Sequence, residues 1–405
     1  MAALVIGCEP AAWGASSGAS SAPGVTSNTI TIGFVTSETG AAAPTFSDSA
    51  GGAMARFALQ NAHGGIDGRK LKLVEKDDQS STTVSADVGT ELGDSGVFGV
   101  IEDSAIDEDY ESGDKALASL QVPVTTWGTN VVDSNVFGSA GANLPVEGPL
   151  DGSYYLYDYL GPFLKSIGVS KLAGITYSSI GQGLDEDFKA LKSDGISTCY
   201  EDLKAPIGSV DFTVDALAIN HLHCNGVLGV AIDSTDVGIG ESLKNAGLDA
   251  KQLYDTGYDQ EVLSQPLSAS ALNGAYITSE LNMTNPDAQT KVMLSALKKY
   301  DPSYDGGLPD LGTWEAYLSA DLMITGLQLA GTDPTRASFI SNLRKLASYD
   351  AGGLLPDSLN YTHFGTPAGL PKTQCEYFMQ LRSGKFYSTN GAKPWCGKLV
   401  KLSSS

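Results

Sequence analysis

The chain has 405 residues and 42% of them are hydrophobic, which favours two packed α/β domains over a single one. Its 47 acidic residues exceed its 25 basic residues, and the formal net charge is −22. This balance argues against a nucleic acid or an anionic membrane surface as the partner. No run of about 18 apolar residues occurs, so no segment is predicted to span a bilayer.

The first predicted elements are a strand, a helix and a second strand. Residues 29–35 form a β-branched apolar run that is typical of a buried strand. Residues 49–61 carry apolar side chains at helical spacing, and a glycine-rich turn separates them from a second strand at 71–76. This order is a βαβ unit, which requires a parallel sheet.

The same stretch resembles a known family. It reads IGFVTSETG at the first strand and NAHGGIDGRKLKLVEKDDQS across the turn and the second strand. These segments resemble the opening of the leucine/isoleucine/valine-type substrate-binding proteins of ABC importers, and the resemblance covers nearly all of residues 29–390. It implies the type I periplasmic-binding-protein fold, an α/β protein with two doubly wound, Rossmann-like lobes joined by a three-crossing hinge.

The rest of the chain continues the alternation of strands and helices. Further strands are predicted at 97–101, 122–126, 136–137, 172–177, 196–203, 226–231 and 252–256, with a terminal hairpin over 376–387. Further helices are predicted at 84–92, 115–120, 154–167, 184–192, 212–220, 239–246, 288–300, 313–329 and 336–347. A second β/α alternation predicts a second doubly wound lobe.

The hinge crossings divide the chain into lobes. We predict residues 29–140 plus 279–355 as the first lobe and residues 141–278 plus 356–405 as the second. Three crossings would let the lobes close on a ligand.

Residues 1–28 are predicted to be a truncated lipoprotein signal remnant and a flexible linker. Val5-Ile6-Gly7-Cys8 resembles a bacterial lipobox, in which the cysteine becomes the lipidated residue; the alternative is a chance cysteine in a frayed tail. The n-region and most of the h-region of a signal peptide are missing, which points to Met1 as a misplaced or engineered start. Residues 9–28 are rich in Ala, Ser, Gly and Pro, as a tether would be. We expect an extracytoplasmic, lipid-anchored protein at the cell surface or in the periplasm.

The other four cysteines are consistent with export. They allow three pairings, and we favour Cys199–Cys224 and Cys375–Cys396 because each pair is close in sequence and lies within one predicted segment. The alternative for one of them is a metal site built from His221, His223 and Cys224, but a single cluster without a second ligand pair is weak evidence.

No catalytic constellation is apparent. The sequence contains no GxSxG elbow, P-loop or HExxH motif, so we predict that the protein is not an enzyme and needs no cofactor or metal. Ligands of open α/β sheets bind beyond the carboxyl ends of the strands. The loops at those ends supply the predicted ligand-binding residues: Phe46, Ser104, Asp107, Trp127, Gly128, Thr129, Tyr177, Ile180, Asp233 and Tyr258.

The resemblance places the family's ligand contacts on particular positions. The loop that resembles the carboxylate-binding serine loop is residues 102–107, and it is acidic. The second hydroxyl contact is kept as Thr129, while the aromatic clamp falls near Ile180. The glutamate that binds the α-ammonium group falls near Gly257 or Tyr258 and is therefore absent. These departures predict that the ligand is not a simple branched-chain amino acid.

The resemblance implies a solute receptor of an ABC importer. Such a receptor captures a small molecule in the cleft between its lobes, closes on it, and delivers it to the membrane permease subunits. We expect a monomer that touches the membrane only through its lipid anchor and binds no nucleic acid. The alternative is a ligand-sensing module of the same fold that feeds a signalling receptor.

Overall fold

The computed structural model describes residues 22–104, 111–127, 135–139, 153–178, 181–256, 259–363, 366–391 and 393–403. Its strands are β1 (Thr29–Thr36), β2 (Lys70–Asp77), β3 (Val100–Asp103), β4 (Val124–Thr126), β5 (Val136–Gly138), β6 (Ser153–Tyr157), β7 (Lys171–Tyr177), β8 (Ser197–Ala205), β9 (Gly226–Val230), β10 (Lys251–Tyr254), β11 (Tyr276–Ser279), β12 (Thr373–Arg382), β13 (Lys385–Ser388) and β14 (Trp395–Ser403).

The α-helices are α1 (Ala43–Phe46), α2 (Ser49–Ala62), α3 (Thr82–Asp94), α4 (Glu111–Ser119), α5 (Leu160–Ser166), α6 (Gly181–Leu191), α7 (Thr213–His221), α8 (Asp233–Asn245), α9 (Gln260–Ser264), α10 (Pro266–Ala271), α11 (Ala288–Tyr300), α12 (Leu311–Ala330) and α13 (Arg336–Leu343). None of the helices in the described residues is long and apolar enough to cross a membrane.

The first lobe is built on a parallel sheet of five strands in the order β2-β1-β3-β4-β5. Successive residues of β1 point to opposite faces of the sheet, and both faces are apolar. Phe34 faces the core formed with α2 and α12, whereas Val35 packs with Leu92 of α3 and Leu117 of α4. The strand is buried on both faces because helices cover both, as in doubly wound folds.

The second lobe is built on a sheet of nine strands, with the path β6-β14-β12-β11-β10-β9-β7-β8 and with β13 paired to β12. Strands β7 to β11 run parallel to one another, and the final strands add an antiparallel edge. The chain enters this sheet after β5, returns after β11 to helices α11–α13 that pack on the first lobe, and comes back at β12. This is the predicted three-crossing, two-lobed fold, although the residue bounds predicted for the lobes stay a prediction.

One predicted helix is wrong over half of its length. Residues 154–167 form the strand β6 followed by the short helix α5. Tyrosines at 154, 155 and 157 suit a strand, and β6 finds its partner in β14, some 240 residues further along the chain. Pro162 lies in the first turn of α5, where its missing N–H is not needed. Local periodicity could not reveal so distant a partner.

Two other differences concern a final strand and a helix start. The predicted hairpin is present as β12 and β13, but β14 follows it and was not predicted. Helix α8 begins at Asp233, six residues before the predicted helix at 239–246, so the predicted loop residue Asp233 lies in its first turn. Polar residues bind free backbone N–H groups both in loops and at the first turn of a helix, so their pattern in the sequence does not distinguish the two.

Both predicted disulfides are confirmed. Cys199 of β8 bonds to Cys224, which follows α7, and Cys375 of β12 bonds to Cys396 of β14. The second pair lies directly across the antiparallel ladder. Because Cys224 is in a disulfide, it is not available as the thiolate of the alternative metal site.

We expect the Cys199→Ala, Cys224→Ala double variant to lose about 3 kcal/mol of unfolding free energy, since the closed loop spans 25 residues. Urea unfolding under oxidising conditions measures this loss. Cys8→Ser serves as a control that leaves both disulfides intact and should match the parent. A double variant within about 1 kcal/mol of the parent would contradict the expectation.

Candidate ligand-binding site

The carboxyl ends of the parallel strands in the two sheets face each other. The evidence is a pair of hydrogen bonds between the lobes, made by Thr45 on α1 and Asp233 at the start of α8. The Thr45 hydroxyl donates to Asp233 Oδ2 at 2.8 Å and accepts from the Asp233 backbone N–H at 3.1 Å. Thr45 is 3% exposed and Asp233 is 2% exposed, so the contact is shielded from water. Phe46, beside it, is buried, and its carbonyl accepts from the Thr36 hydroxyl at 2.9 Å.

Ser104 belongs to a buried polar group at the ends of β1, β2 and β3. The Ser37 hydroxyl donates to Asp78 Oδ1 at 2.8 Å and lies 2.8 Å from the Ser104 hydroxyl. Ser104 in turn donates to Asp78 Oδ2. Both serine hydroxyls are thus hydrogen-bonded to one carboxylate. A ligand carboxylate placed here would face the negative charge of Asp78 at close range.

Two more carboxyl groups lie behind this group of serines. Asp103 ends β3 and is 1% exposed, and it lies beside Ser49 of α2 and Glu315 of α12. Burial raises the pKa of Asp103 well above its usual range, and the two neighbouring side chains offset only part of the rise.

Trp127 follows β4 and stands between the lobes. Its ring packs edge-to-face on Trp314 at 6.5 Å between centroids, and it is half-buried. Its indole N–H lies beside the carboxyl of Glu280, the residue that follows strand β11 of the second sheet, and lowers the pKa of that group, although it makes no hydrogen bond of normal geometry. The indole thus presents a flat aromatic face at the end of the second sheet.

Tyr177 ends β7 but its hydroxyl is already engaged. It donates to the Thr235 hydroxyl at 2.8 Å and accepts from the Ile232 backbone N–H at 3.2 Å. The side chain is 6% exposed. Tyr177 therefore fixes the start of α8, and hence Asp233, at the edge of the cleft.

Four acidic residues on or next to elements of the second sheet were missed by sequence reasoning. Asp187 lies on α6, Asp255 follows β10, Glu280 follows β11, and Glu376 lies on β12. Burial raises the pKa of Asp187, Asp255 and Glu280 to about 7 in each case, and it raises that of Glu376 well above its usual range. Their charges at strand ends were the only sign of a site in the sequence. The pairing of β11 with β12 decides which of these residues come close together, and it could not be read from the sequence.

The remaining predicted site residues, Asp107, Gly128, Thr129, Ile180 and Tyr258, lie outside the described residues, as does Cys8.

Comparisons with solved structures agree with this architecture. A fatty acid ABC transporter substrate-binding protein from Thermomonospora curvata superposes with a TM-score of 0.72 at 18% identity, covering 95% of each chain. A solute-binding protein of an R. palustris ABC transporter, in complex with benzoate, gives 0.71 at 16% identity, covering 91% of this chain and 97% of that one. The branched-chain amino acid transporter substrate-binding protein LivJ from Streptococcus pneumoniae, in complex with isoleucine, gives 0.70 at 18% identity, covering 92% and 100%.

At these identities the solved structures establish the fold alone. Curated protein sequences give no match to this chain. A family model described as periplasmic binding protein matches residues 29–385, which is most of the chain. The chain therefore belongs to the periplasmic binding protein family.

Proposed function

We propose that this protein is the extracytoplasmic solute-binding receptor of an ABC importer, which captures a small molecule between its lobes and delivers it to the membrane permease. The observation that carries the proposal is the buried Thr45–Asp233 contact, because it joins the two strand-end surfaces across the cleft. Family membership and the likeness to ABC transporter binding proteins support it. Closure would be driven by contacts that a solute makes better in the closed form than in the open one.

Further parts of the proposal concern the surroundings of the receptor. We propose that it is a monomer, that Cys8 carries the lipid anchor, and that the lobes follow the predicted bounds. Mass spectrometry of membrane-extracted protein tests the anchor, because lipidation adds a fixed mass to the peptide that begins at Cys8.

The first test of the receptor role is native mass spectrometry of the purified protein, followed by a thermal-shift screen with the solute released from it. A solute present at 100 times its dissociation constant should stabilise the folded state by about 2.7 kcal/mol. A protein that releases no solute, and that no candidate stabilises, would contradict the proposal. Turnover of a solute into a product would favour an enzyme instead.

We predict that Thr45→Val shifts the ligand-free protein toward an open form, because it removes the two hydrogen bonds that the Thr45 hydroxyl makes with Asp233. Small-angle scattering should show a larger radius of gyration. Thr39→Val is the matched control, since the exposed Thr39 hydroxyl bonds only within the first lobe, to Asp77 at 2.6 Å. Equal radii for the two variants would show that the contact does not hold the lobes together.

Trp127→Ala should weaken binding of the solute identified by mass spectrometry about tenfold, because an aromatic wall typically contributes more than 1 kcal/mol. Trp127→Phe should keep most of the affinity, as it retains a flat apolar face. Calorimetric titration measures both. A change within about 0.5 kcal/mol for the alanine variant would remove Trp127 from the site.

Branched-chain amino acids should not bind in the micromolar range. A zwitterion needs a partner for its carboxylate, and the two serine hydroxyls at Ser37 and Ser104 already bind Asp78 instead. Calorimetric titration of ligand-stripped protein with leucine, isoleucine and valine measures this, with the co-purified solute as the control for competence. A low-micromolar dissociation constant for any of the three would refute it.

A further inference from the structure

Four acidic residues on or next to elements of the second sheet act electrostatically on one another or on a shared neighbour, Tyr159. The negative charge of Asp255 acts on Glu280, and both act on Glu376. Tyr159, in front of α5, feels the charges of Glu376, Asp187 and Glu280 together. These groups come from three strand ends and one helix, so the folded chain brings together residues that are far apart in sequence. We call Asp187, Asp255, Glu280 and Glu376 the acidic cluster.

Strand register places two of these carboxyl groups face to face. Strands β11 and β12 are antiparallel, with Ser279 opposite Tyr377. Continuing that register by one residue sets Glu280 directly opposite Glu376, so both side chains project from the same face of the sheet. Like charges at directly opposed positions destabilise a sheet. The fold therefore sets two carboxyl groups side by side, and they repel each other when both are ionised.

The charged groups that act on the acidic cluster are themselves carboxyl groups. Within the described residues, the charged groups that shift the pKa of these four carboxyls are Asp233, Glu186 and the cluster members themselves. The lysine on α6, Lys189, bonds instead to Asp185 at 2.9 Å and Glu186 at 2.6 Å on the outer side of the helix. A positive group supplied from outside would find no competitor among these neighbours.

The burial of Glu376 is a second observation that points to a ligand. Its side chain is 5% exposed, and its carboxyl group makes no hydrogen bond to any described residue. Burial of an unpaired carboxylate is costly, and proteins usually supply a counter-ion or several donors. Here the charges that act on the Glu376 carboxyl are those of Glu280 and Asp255, which are also acidic. Its natural counterpart is a cation that enters with the solute.

Trp127 lies beside Glu280, so a group held by Glu280 would also meet the indole. An aromatic face next to carboxylates suits an organic cation, which the ring attracts through its quadrupole. At the strand ends of the first sheet, the Ser37 and Ser104 hydroxyls already bind Asp78, which disfavours a carboxylate at that edge.

We propose that the solute is a small organic cation, an amine or quaternary ammonium compound without a carboxylate, whose positive group is held by Glu280, Glu376 and Asp255 against the Trp127 ring. This rests on the proposed receptor function and names the class of its ligand.

The test is a calorimetric screen of ligand-stripped full-length protein with matched probes. One arm holds amines and quaternary ammonium compounds, including choline and putrescine. A second arm holds the neutral isostere of choline, 3,3-dimethyl-1-butanol, the zwitterion glycine betaine, and amino, fatty and aromatic acids. Calcium chloride tests for a metal ion. We expect a tight binder in the first arm, with its neutral and zwitterionic analogues at least 100-fold weaker.

The outcomes separate the two proposals. A tight binder that is neutral, anionic or zwitterionic, or binding of calcium alone, overturns the organic cation and leaves the receptor standing. Absence of binding in every arm overturns the organic cation, and the receptor falls with it only if native mass spectrometry also finds no solute.

Variants add a readout that a merely structural role would not give. Glu280→Gln and Glu376→Gln keep the side-chain shape, and each should weaken binding of the cation at least tenfold. The same changes remove like-charge repulsion, so the ligand-free variants should melt at or above the parent temperature at pH 8. Asp94→Asn, an exposed charge on the far helix α3, is the control and should change neither property. Unchanged affinity in both glutamine variants would overturn the proposal.

The pH dependence follows from the same groups. Glu280 is faced by Asp255, Glu376, Tyr159 and the Trp127 indole, and its raised pKa of about 7 keeps it partly protonated in the ligand-free protein at neutral pH. A carboxyl with a raised pKa stabilises the folded state at low pH and loses that contribution as pH rises through 7.

Asp255 is faced by Asp233, Asp236, Glu280 and Glu376, and Asp187 by Glu186 and Tyr159; both behave in the same way. The melting temperature of the ligand-free protein should therefore fall from pH 5 to pH 8, while affinity for the cation rises and binding releases protons. Affinity that falls with rising pH would contradict a cationic ligand.

Discussion

The carboxyl ends of the parallel strands in the two sheets determine where this molecule places its polar residues. Because all carboxyl ends of a parallel sheet lie at one edge, each lobe gathers its polar loop residues at a single surface. The three crossings of the chain turn those two surfaces toward each other. The buried contact of Thr45 with Asp233 shows that they meet, and Trp127 and Glu280 meet near the same boundary. The place where a solute can bind is therefore a consequence of topology, while its chemistry depends on a handful of side chains.

Local patterns predicted the parallel parts of the fold well. Strand β1, helix α2 and strand β2 follow from alternation and spacing within about fifty residues, and helix α12 follows from its long apolar run. The pairing of β6 with β14 could not be predicted, because the two strands are distant in sequence. A run of aromatic residues is also compatible with both the helical and the strand periodicity. The disulfides were predictable because each joins cysteines that are close in sequence.

The sequence placed several candidate residues beside strand ends, but their role in binding stays a prediction. Ser104 and Trp127 directly follow strands β3 and β4, since strand ends can be read from hydrophobic runs. The acidic cluster depends on the register of β11 against β12, which only the folded sheet determines. Carboxyl groups held close together without a counter-ion lower the stability of the folded state when they ionise.

The disulfide between Cys375 and Cys396 lies next to the acidic cluster, so the structure around that cluster depends on the redox state of the surroundings. Cys375 immediately precedes Glu376, and Cys396 immediately follows Trp395, the residue that pairs with Glu376 across the ladder. The bond thus joins the two strands one ladder position away from Glu376, which is 5% exposed. In a reducing compartment the strands would lose this covalent link beside Glu376, so the local geometry of the acidic cluster depends on an oxidising environment.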